Sequence, residues 1–274
     1  MPLSEFQQHI ARLLSDNRSL DSHVAGGSAI ARETIRRTRD IDIFHDAEAL
    51  VREASERDTK TLAAAGYSLE WIRDFPSIRS AKVLGGPEPL KLEWAHDSAW
   101  RFYPAEQDPD FGYLLHPADL ATNKVIAAAS RREPRDLFDL CALAADIPIP
   151  AAIIAASGKD PGLTPDVVVD LISRFSRYQQ ADFDAVPASR PVDAARILGQ
   201  VREALQKTST ITANLPPSAI GKLYLDGGII KTPDPAKLAS YTVREASRAG
   251  VAATISDIPV EVMRNLYQKG QYGR

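Results

Sequence analysis

The sequence predicts an α+β amino-terminal region, a mixed sheet with flanking helices, followed by a mainly helical carboxy-terminal region with a small β-hairpin. Three observations point to it. Short alternating or aliphatic runs recur between residues 23 and 95, helical 3.6-residue spacing dominates from about Pro117 onward, and Asp226-Gly227-Gly228 separates two short apolar runs late in the chain. At 274 residues, with 44% hydrophobic and 25% charged, the chain is large enough for a sizeable core.

The elements follow in order. Ser4 and Gln7 have capping-box spacing ahead of a stripe of Phe6, Ile10, Leu13 and Leu14, which predicts a first helix. His23-Val24-Ala25 reads as a short strand, and Gly26-Gly27-Ser28 as a turn capped by Ser28 into a helix from Ala29 to about Ile35. Asp40-Ile41-Asp42-Ile43-Phe44 alternates and reads as a strand. Asp46 is expected to cap the next helix, which carries Leu50, Val51, Ala54 and Leu62 and stops at Gly66. Tyr67 to Asp74, Ser77 to Leu84 and Leu90 to Ala95 read as three successive strands, punctuated by Pro76 and Gly85-Gly86-Pro87. Helices are expected over Asp119 to Ser130 and Pro134 to Ala145, then near 151–157, 165–178 and 191–206. Lys222 to Lys231 reads as the hairpin, with two more helices after it. The two prolines of Ile147-Pro148-Ile149-Pro150 suggest a linker, and so a division into 1–146 and 147–274.

Composition narrows the function classes. A net charge of −3 removes any whole-chain polycation argument for nucleic-acid binding, although the local balance runs from −6 over 1–150 to +4 over 207–274. Cys141 is the single cysteine, which excludes an internal disulfide and a multi-cysteine zinc site, and the five histidines lack paired ligand spacing. The start lacks a signal-peptide pattern, and no apolar run approaches the roughly 20 residues of a membrane span, so a soluble cytoplasmic protein with no membrane partner is expected. P-loop and G-x-G-x-x-G patterns are absent.

One stretch carries chemistry. On a strand, residues i and i+2 share a face, so Asp40 and Asp42 point one way while Ile41 and Ile43 point into the core. Two adjacent carboxylates repel and are stabilised best by a hard divalent cation, Mg2+ or Mn2+. Gly26 and Gly27 permit close backbone approach, and Ser28 opens a helix whose free N–H groups favour phosphate. A metal-ligating pair and a phosphate cradle thus fall within one short unit, the layout a nucleoside triphosphate needs. Glu93, on a strand whose Leu92 and Trp94 face the core, supplies the third carboxylate of a two-metal site. Taken alone, Glu93 beside Lys91 also reads as a surface ion pair, and Lys124 as a solvated helix residue.

These residues resemble a known family. Gly27-Ser28 followed by Asp40-Ile41-Asp42 is similar to the signature of the polymerase-β-like nucleotidyltransferase superfamily. The runs His116-Pro117-Ala118-Asp119-Leu120 to Lys124 and Arg131 to Leu140 resemble the AbiEii/AbiGii toxin family within it. The likeness covers about residues 20–145. It implies a polymerase-β-like core, Asp40 and Asp42 as metal ligands, and Gly27 and Ser28 at the triphosphate. It further implies Lys124 as a triphosphate or active-site contact and Asp136 as a further active-site acid. The activity implied is Mg-dependent transfer of NMP from an NTP to an acceptor hydroxyl, with tRNA or another RNA as acceptor and a cognate antitoxin as partner. A glutamate replaces the commoner third aspartate of the superfamily at Glu93. The competing readings are a catalytically silent nucleotide- or partner-binding scaffold and a small-molecule nucleotidyltransferase.

Overall fold

The computed structural model describes residues 3–31, 34–175 and 177–251. Helix α1 (Glu5–Leu14) starts as its sequence dictates: Ser4 Oγ accepts from Gln7 N at 3.1 Å, and Gln7 Oε1 accepts from Ser4 N at 2.9 Å. Phe6, Ile10 and Leu14 form its buried stripe. Ser4→Ala is expected to lower stability by about 1 kcal/mol, a fall of about 2–4 °C in Tm, and to leave any activity untouched. A melt superimposable on wild type would show that the cap contributes nothing.

Strand β1 (Ser22–Ala25), helix α2 (Gly26–Ala31), strand β2 (Asp40–His45) and helix α3 (Glu48–Ala64) follow, then strands β3 (Ser68–Phe75), β4 (Ile78–Leu84) and β5 (Leu90–His96). Three short strands that carry no clear alternation come next: β6 (Trp100–Arg101), β7 (Glu106–Asp108) and β8 (Gly112–Leu114). Seven strands make one mixed sheet in the order β3-β4-β5-β2-β1-β8-β7. The pairs β2/β5 and β1/β8 are parallel, and the rest are antiparallel. One sheet face is dry: Ile41, Ile43, Leu92 and Trp94 pack in a single cluster with α1 and α3. Trp94 Nε1 also donates to the fully buried Asp58 of α3 at 2.6 Å, and Arg18 holds that carboxylate, so β5 is fixed in position by a hydrogen bond as well as by packing.

Helices α4 (Pro117–Ser130), α5 (Pro134–Leu143), α6 (Ile149–Ala156), α7 (Pro165–Phe175), α8 (Gln180–Asp184) and α9 (Ala194–Thr212) form the second half of the molecule. Strands β9 (Lys222–Asp226) and β10 (Ile229–Lys231) make the expected hairpin, and β11 (Thr242–Glu245) adds a third strand on the other side of β9. Strand β12 (Ser247–Arg248) pairs with β6.

Several local expectations are corrected. Asp46 does not cap α3: Ala47 holds that position without a side-chain cap, because Arg101 takes the Asp46 carboxylate at 2.6 and 2.9 Å. Helix α2 begins at Gly26 and its last described residue is Ala31, so Ser28 lies within it rather than capping it. Residues 147–150 do not run as an exposed linker, since Ile149 opens α6, with Pro150 in its first turn where a missing N–H is harmless, and every residue of α6 is buried. The apolar cluster around α6 joins Phe102, α4 and α5 to α7, α9 and β9. A six-residue 3-10 segment, Pro235–Ser240, stands in place of a full helix after the hairpin. The last helix expected from the sequence falls among residues 252–274, outside the described residues.

Candidate active site

The wet face of the sheet carries the acids. Strand β2 alternates so that Asp40, Asp42 and Phe44 share the face opposite Ile41 and Ile43. Parallel pairing sets Asp42 directly beside Glu93 and Asp40 beside Lys91. Three carboxylates and one ammonium therefore share a small area of sheet. Lys91 Nζ lies 3.1 Å from Glu93 Oε2 and 3.5 Å from Asp40 Oδ2. Burial alone would lower the Lys91 ammonium, but Asp40 and Glu93 outweigh it and hold it above its usual value. Among the described residues Asp42 has no ion pair of its own. Burial first, then the charges of Asp40 and Glu93, push its carboxyl up to about 6.

That imbalance is the test of fit for a cation. Asp42 and Asp40 offer hard oxygen donors beside Glu93, three carboxylates whose charge the Lys91 ammonium only partly offsets, and such a pair suits Mg2+ or Mn2+. Among the described residues no three acidic, histidine or cysteine side chains form a ready-made metal cage, in keeping with Lys91 sitting between Asp40 and Glu93. The donor set fits through Asp40 and Asp42, with Glu93 adjacent.

The glycines lie directly against the acids. Gly26 has φ +64°, and a Cβ there would meet Asp42 Oδ2 at 2.5 Å. Gly27 packs beside Arg36 and Thr38. Ser28 is fully buried, its Oγ donating to Ala25 O at 3.1 Å, so its hydroxyl ties α2 to β1. Gly26→Ala is expected to displace the Asp42 carboxylate and force a left-handed alanine. Transfer should fall about tenfold or more with a stability loss of about 1–2 kcal/mol. Wild-type turnover in Gly26→Ala would show that the close approach serves nothing.

Lys124 and Asp136 meet on the far side. Lys124, on α4, is buried rather than solvated, its Nζ 2.7 Å from Asp139 Oδ2 and 3.2 Å from Asp136 Oδ1. Asp136 and Asp139, one helical turn apart on α5, are fully buried. Arg131 grips Asp136 with two bonds of 2.7 and 2.9 Å, and Arg36 donates to Asp139 at 2.9 Å. Burial would raise the Asp136 carboxyl, but Arg131 and Lys124 more than offset it and hold it below the carboxylate range. Asp136 is thus locked in ion pairs, while Lys124 joins that cluster to the acids, near enough for its charge to favour an ionised Asp42. Asp139 and Arg36 belong to the same cluster and had only weak sequence signals. The spacing Asp136-x-x-Asp139, which puts both on one helix face, was the available hint.

A cavity of about 570 Å3 opens beside this cluster between β2 and α4, bounded in part by Gly26, Phe44, Trp100, Asn123 and Lys124. Against known proteins, a family model described as the nucleotidyl transferase AbiEii toxin of type IV toxin–antitoxin systems matches residues 23–207. No curated protein matches. Among solved structures, MenT4, a nucleotidyltransferase toxin from Mycobacterium tuberculosis H37Rv, is similar at 20% identity and TM-score 0.54, over 78% of this chain and 84% of that one. JHP933 from Helicobacter pylori is similar at 17% identity and TM-score 0.46, over 77% of this chain and 97% of that one. With the acids on one sheet face, the glycine turn against them and a family match spanning more than half its length, the chain belongs to the AbiEii nucleotidyltransferase toxin family and is a nucleotidyltransferase.

Proposed function

We propose that this enzyme transfers an NMP from an NTP to a hydroxyl of RNA in a Mg2+-dependent reaction, and that a cognate antitoxin restrains it. The observation that carries this is Asp42, set in register against Glu93 and on one strand face with Asp40, where burial and the two neighbouring carboxylates outweigh Lys91 and Lys124 and push its carboxyl up to about 6. Asp40 and Asp42 would hold Mg2+ or Mn2+, with Glu93 as third carboxylate. The bound ion supplies charge for the α-phosphoryl oxygens and a more acidic attacking hydroxyl. Gly26 leaves the backbone bare beside Asp42 for the triphosphate, the buried Gly27 and Ser28 hold that turn in place, and Lys124 offers it a cation. The acceptor oxygen bonds to the α-phosphorus, the bond to the bridging oxygen breaks, pyrophosphate leaves, and the hydroxyl proton passes to the acid cluster. Asp136 acts by fixing Lys124.

A polyanionic acceptor is favoured by what rims the site. Arg37 and Arg39 stand exposed just before Asp40, and Lys82 pairs in register with Lys91 on the same sheet face. The test is incubation with Mg2+, each labelled NTP and total cellular RNA, resolved on a denaturing gel beside Asp42→Asn. Label entering RNA only with wild type supports the proposal. Label appearing instead in protein or a small molecule overturns the RNA acceptor.

A further inference from the structure

We propose that β4 and β3 extend the acid-bearing sheet face into a docking track for a single-stranded end of the acceptor RNA, with Arg73 on a phosphate and Phe75 stacked on a base. This rests on the nucleotidyl-transfer reading above. Register comes first. Asp42 pairs with Glu93, Glu93 with Ser80 and Ser80 with Arg73, so one row of side chains crosses the sheet from the acids to its edge. The next row on the same face runs Phe44, Ala95, Ile78 and Phe75. With neighbouring strands about 4.8 Å apart, Arg73 stands two strands, about 10 Å, from Glu93.

A β-bulge turns the last two residues to this side. Trp71 pairs with Ala81 and lies on the dry face, its ring 5.8 Å from that of Trp94 and beneath the Arg79 guanidinium. Simple alternation from Trp71 would return Arg73 and Phe75 to the dry face. The register shift between Trp71 and Arg73 takes up Ile72 as an extra residue, so Arg73 and Phe75 join the acids' face while Asp74 goes to Arg79.

The two rows differ in chemistry. The first has the small, buried Ser80 as its floor and ends at Arg73, which is exposed and has no carboxylate partner among the described residues. Its neighbours Lys82 and Lys91 are occupied, the one by Glu70 at 3.4 Å and the other by Glu93 and Asp40. The second row is apolar and ends at Phe75, which is 60% exposed. A guanidinium beside an open aromatic ring is a pairing that holds single-stranded nucleic acid, the phosphate on one and a base on the other. Direction then selects the acceptor. The glycine turn sets the triphosphate on the β1 side of Asp42, and in-line displacement brings the attacking oxygen from the side opposite the leaving pyrophosphate. That side holds Glu93, and beyond β5 the sheet continues through β4 to its edge at β3. A strand whose terminal hydroxyl lies over Glu93 crosses both rows as it leaves.

The experiment is equilibrium binding of a labelled single-stranded RNA of mixed sequence, and separately of each NTP with Mg2+, to wild type, Phe75→Ala, Phe75→Trp and Arg73→Gln. Each variant is also melted and sedimented. Phe75→Ala should weaken RNA binding about tenfold or more, and Phe75→Trp should keep it. Arg73→Gln should weaken it several-fold and lower the slope of log K against log salt by about 0.7. NTP affinity and Tm should not move in any of them, and in RNA labelling Phe75→Ala should raise KM for RNA rather than lower kcat. RNA affinity unchanged in Phe75→Ala and Arg73→Gln overturns the track while labelling by wild type still stands. Self-association that Phe75→Ala abolishes, with RNA affinity kept, assigns the face to a second copy of the chain and also overturns it. A wild type that neither binds nor labels RNA removes this inference together with the reading on which it rests.

Discussion

Asp42→Asn is expected to abolish nucleotidyl transfer and, at the same time, to make the metal-free protein more stable. The two effects share one cause. An ionised Asp42 sits half-buried beside Asp40 and Glu93, and its carboxyl rises from 3.8 to about 6. A rise of about two units corresponds to roughly 2–3 kcal/mol spent keeping that charge in the folded state at neutral pH. Asparagine keeps the shape without the charge, so the variant should melt about 5 °C higher in EDTA at pH 7.5. The sign is fixed by the direction of the shift. A carboxyl raised on folding destabilises the protein above about pH 6, and the penalty fades as pH falls toward the unfolded value near 3.8. The gap between the two melts should therefore close between pH 6 and pH 4. Mg2+ should raise the wild-type Tm and move the variant much less, since on the proposed reading the ion would be held by Asp40 and Asp42. Loss of the cation's contribution to the transition state is worth several kcal/mol, so transfer should fall about a thousandfold or more. A variant that melts lower than wild type at pH 7.5, or one that still labels RNA, would remove Asp42 from the centre of the site.

Whether a feature was legible in the sequence followed from the range of the interaction behind it. Alternation in Asp40 to Phe44 and Leu90 to Ala95 reports a half-buried strand directly, so the outward placement of Asp40, Asp42 and Glu93 could be read residue by residue. That β2 and β5 are parallel neighbours, with Asp42 against Glu93, is a property of the sheet order, which no local pattern encodes. The same limit explains Lys124. Its i, i+3 and i+4 neighbours on α4 left it free to face water, and only partners from α5 show why it is buried. Arg36 reaches Asp139 across 103 residues, and Lys159 reaches Asn123 across 36. Asp46 misled for a related reason. Its position before α3 has cap chemistry, but a bidentate Arg101 offers more than a backbone N–H can.

Lys124→Met is expected to destabilise the fold by about 3 kcal/mol and also to eliminate transfer, so loss of activity in that variant alone says little about catalysis. Its ammonium is the partner Asp139 Oδ2 has at 2.7 Å, in a cluster where both carboxylates are fully buried. Methionine fills the same volume but leaves that oxygen facing an apolar neighbour, and breaking one partner from a buried ionic cluster carries a penalty of this size. Each carboxylate keeps one arginine, Asp136 its Arg131 and Asp139 its Arg36, which holds the loss below the largest values seen for buried pairs. The structural and substrate-facing roles separate in the double variant Lys124→Met/Asp139→Asn. Asparagine still accepts from Arg36 through Oδ1 and no longer carries the charge that Lys124 neutralised, so the double variant should recover much of the lost stability, a coupling of about 1–2 kcal/mol in a double-mutant cycle. It should not recover transfer, because the triphosphate would still lack the Lys124 ammonium beside Gly26 and Asp42. Denaturant melts give the first quantity and RNA labelling the second. Recovery of both together would make Lys124 purely a structural counter-ion and leave the triphosphate to the glycine turn and the metal.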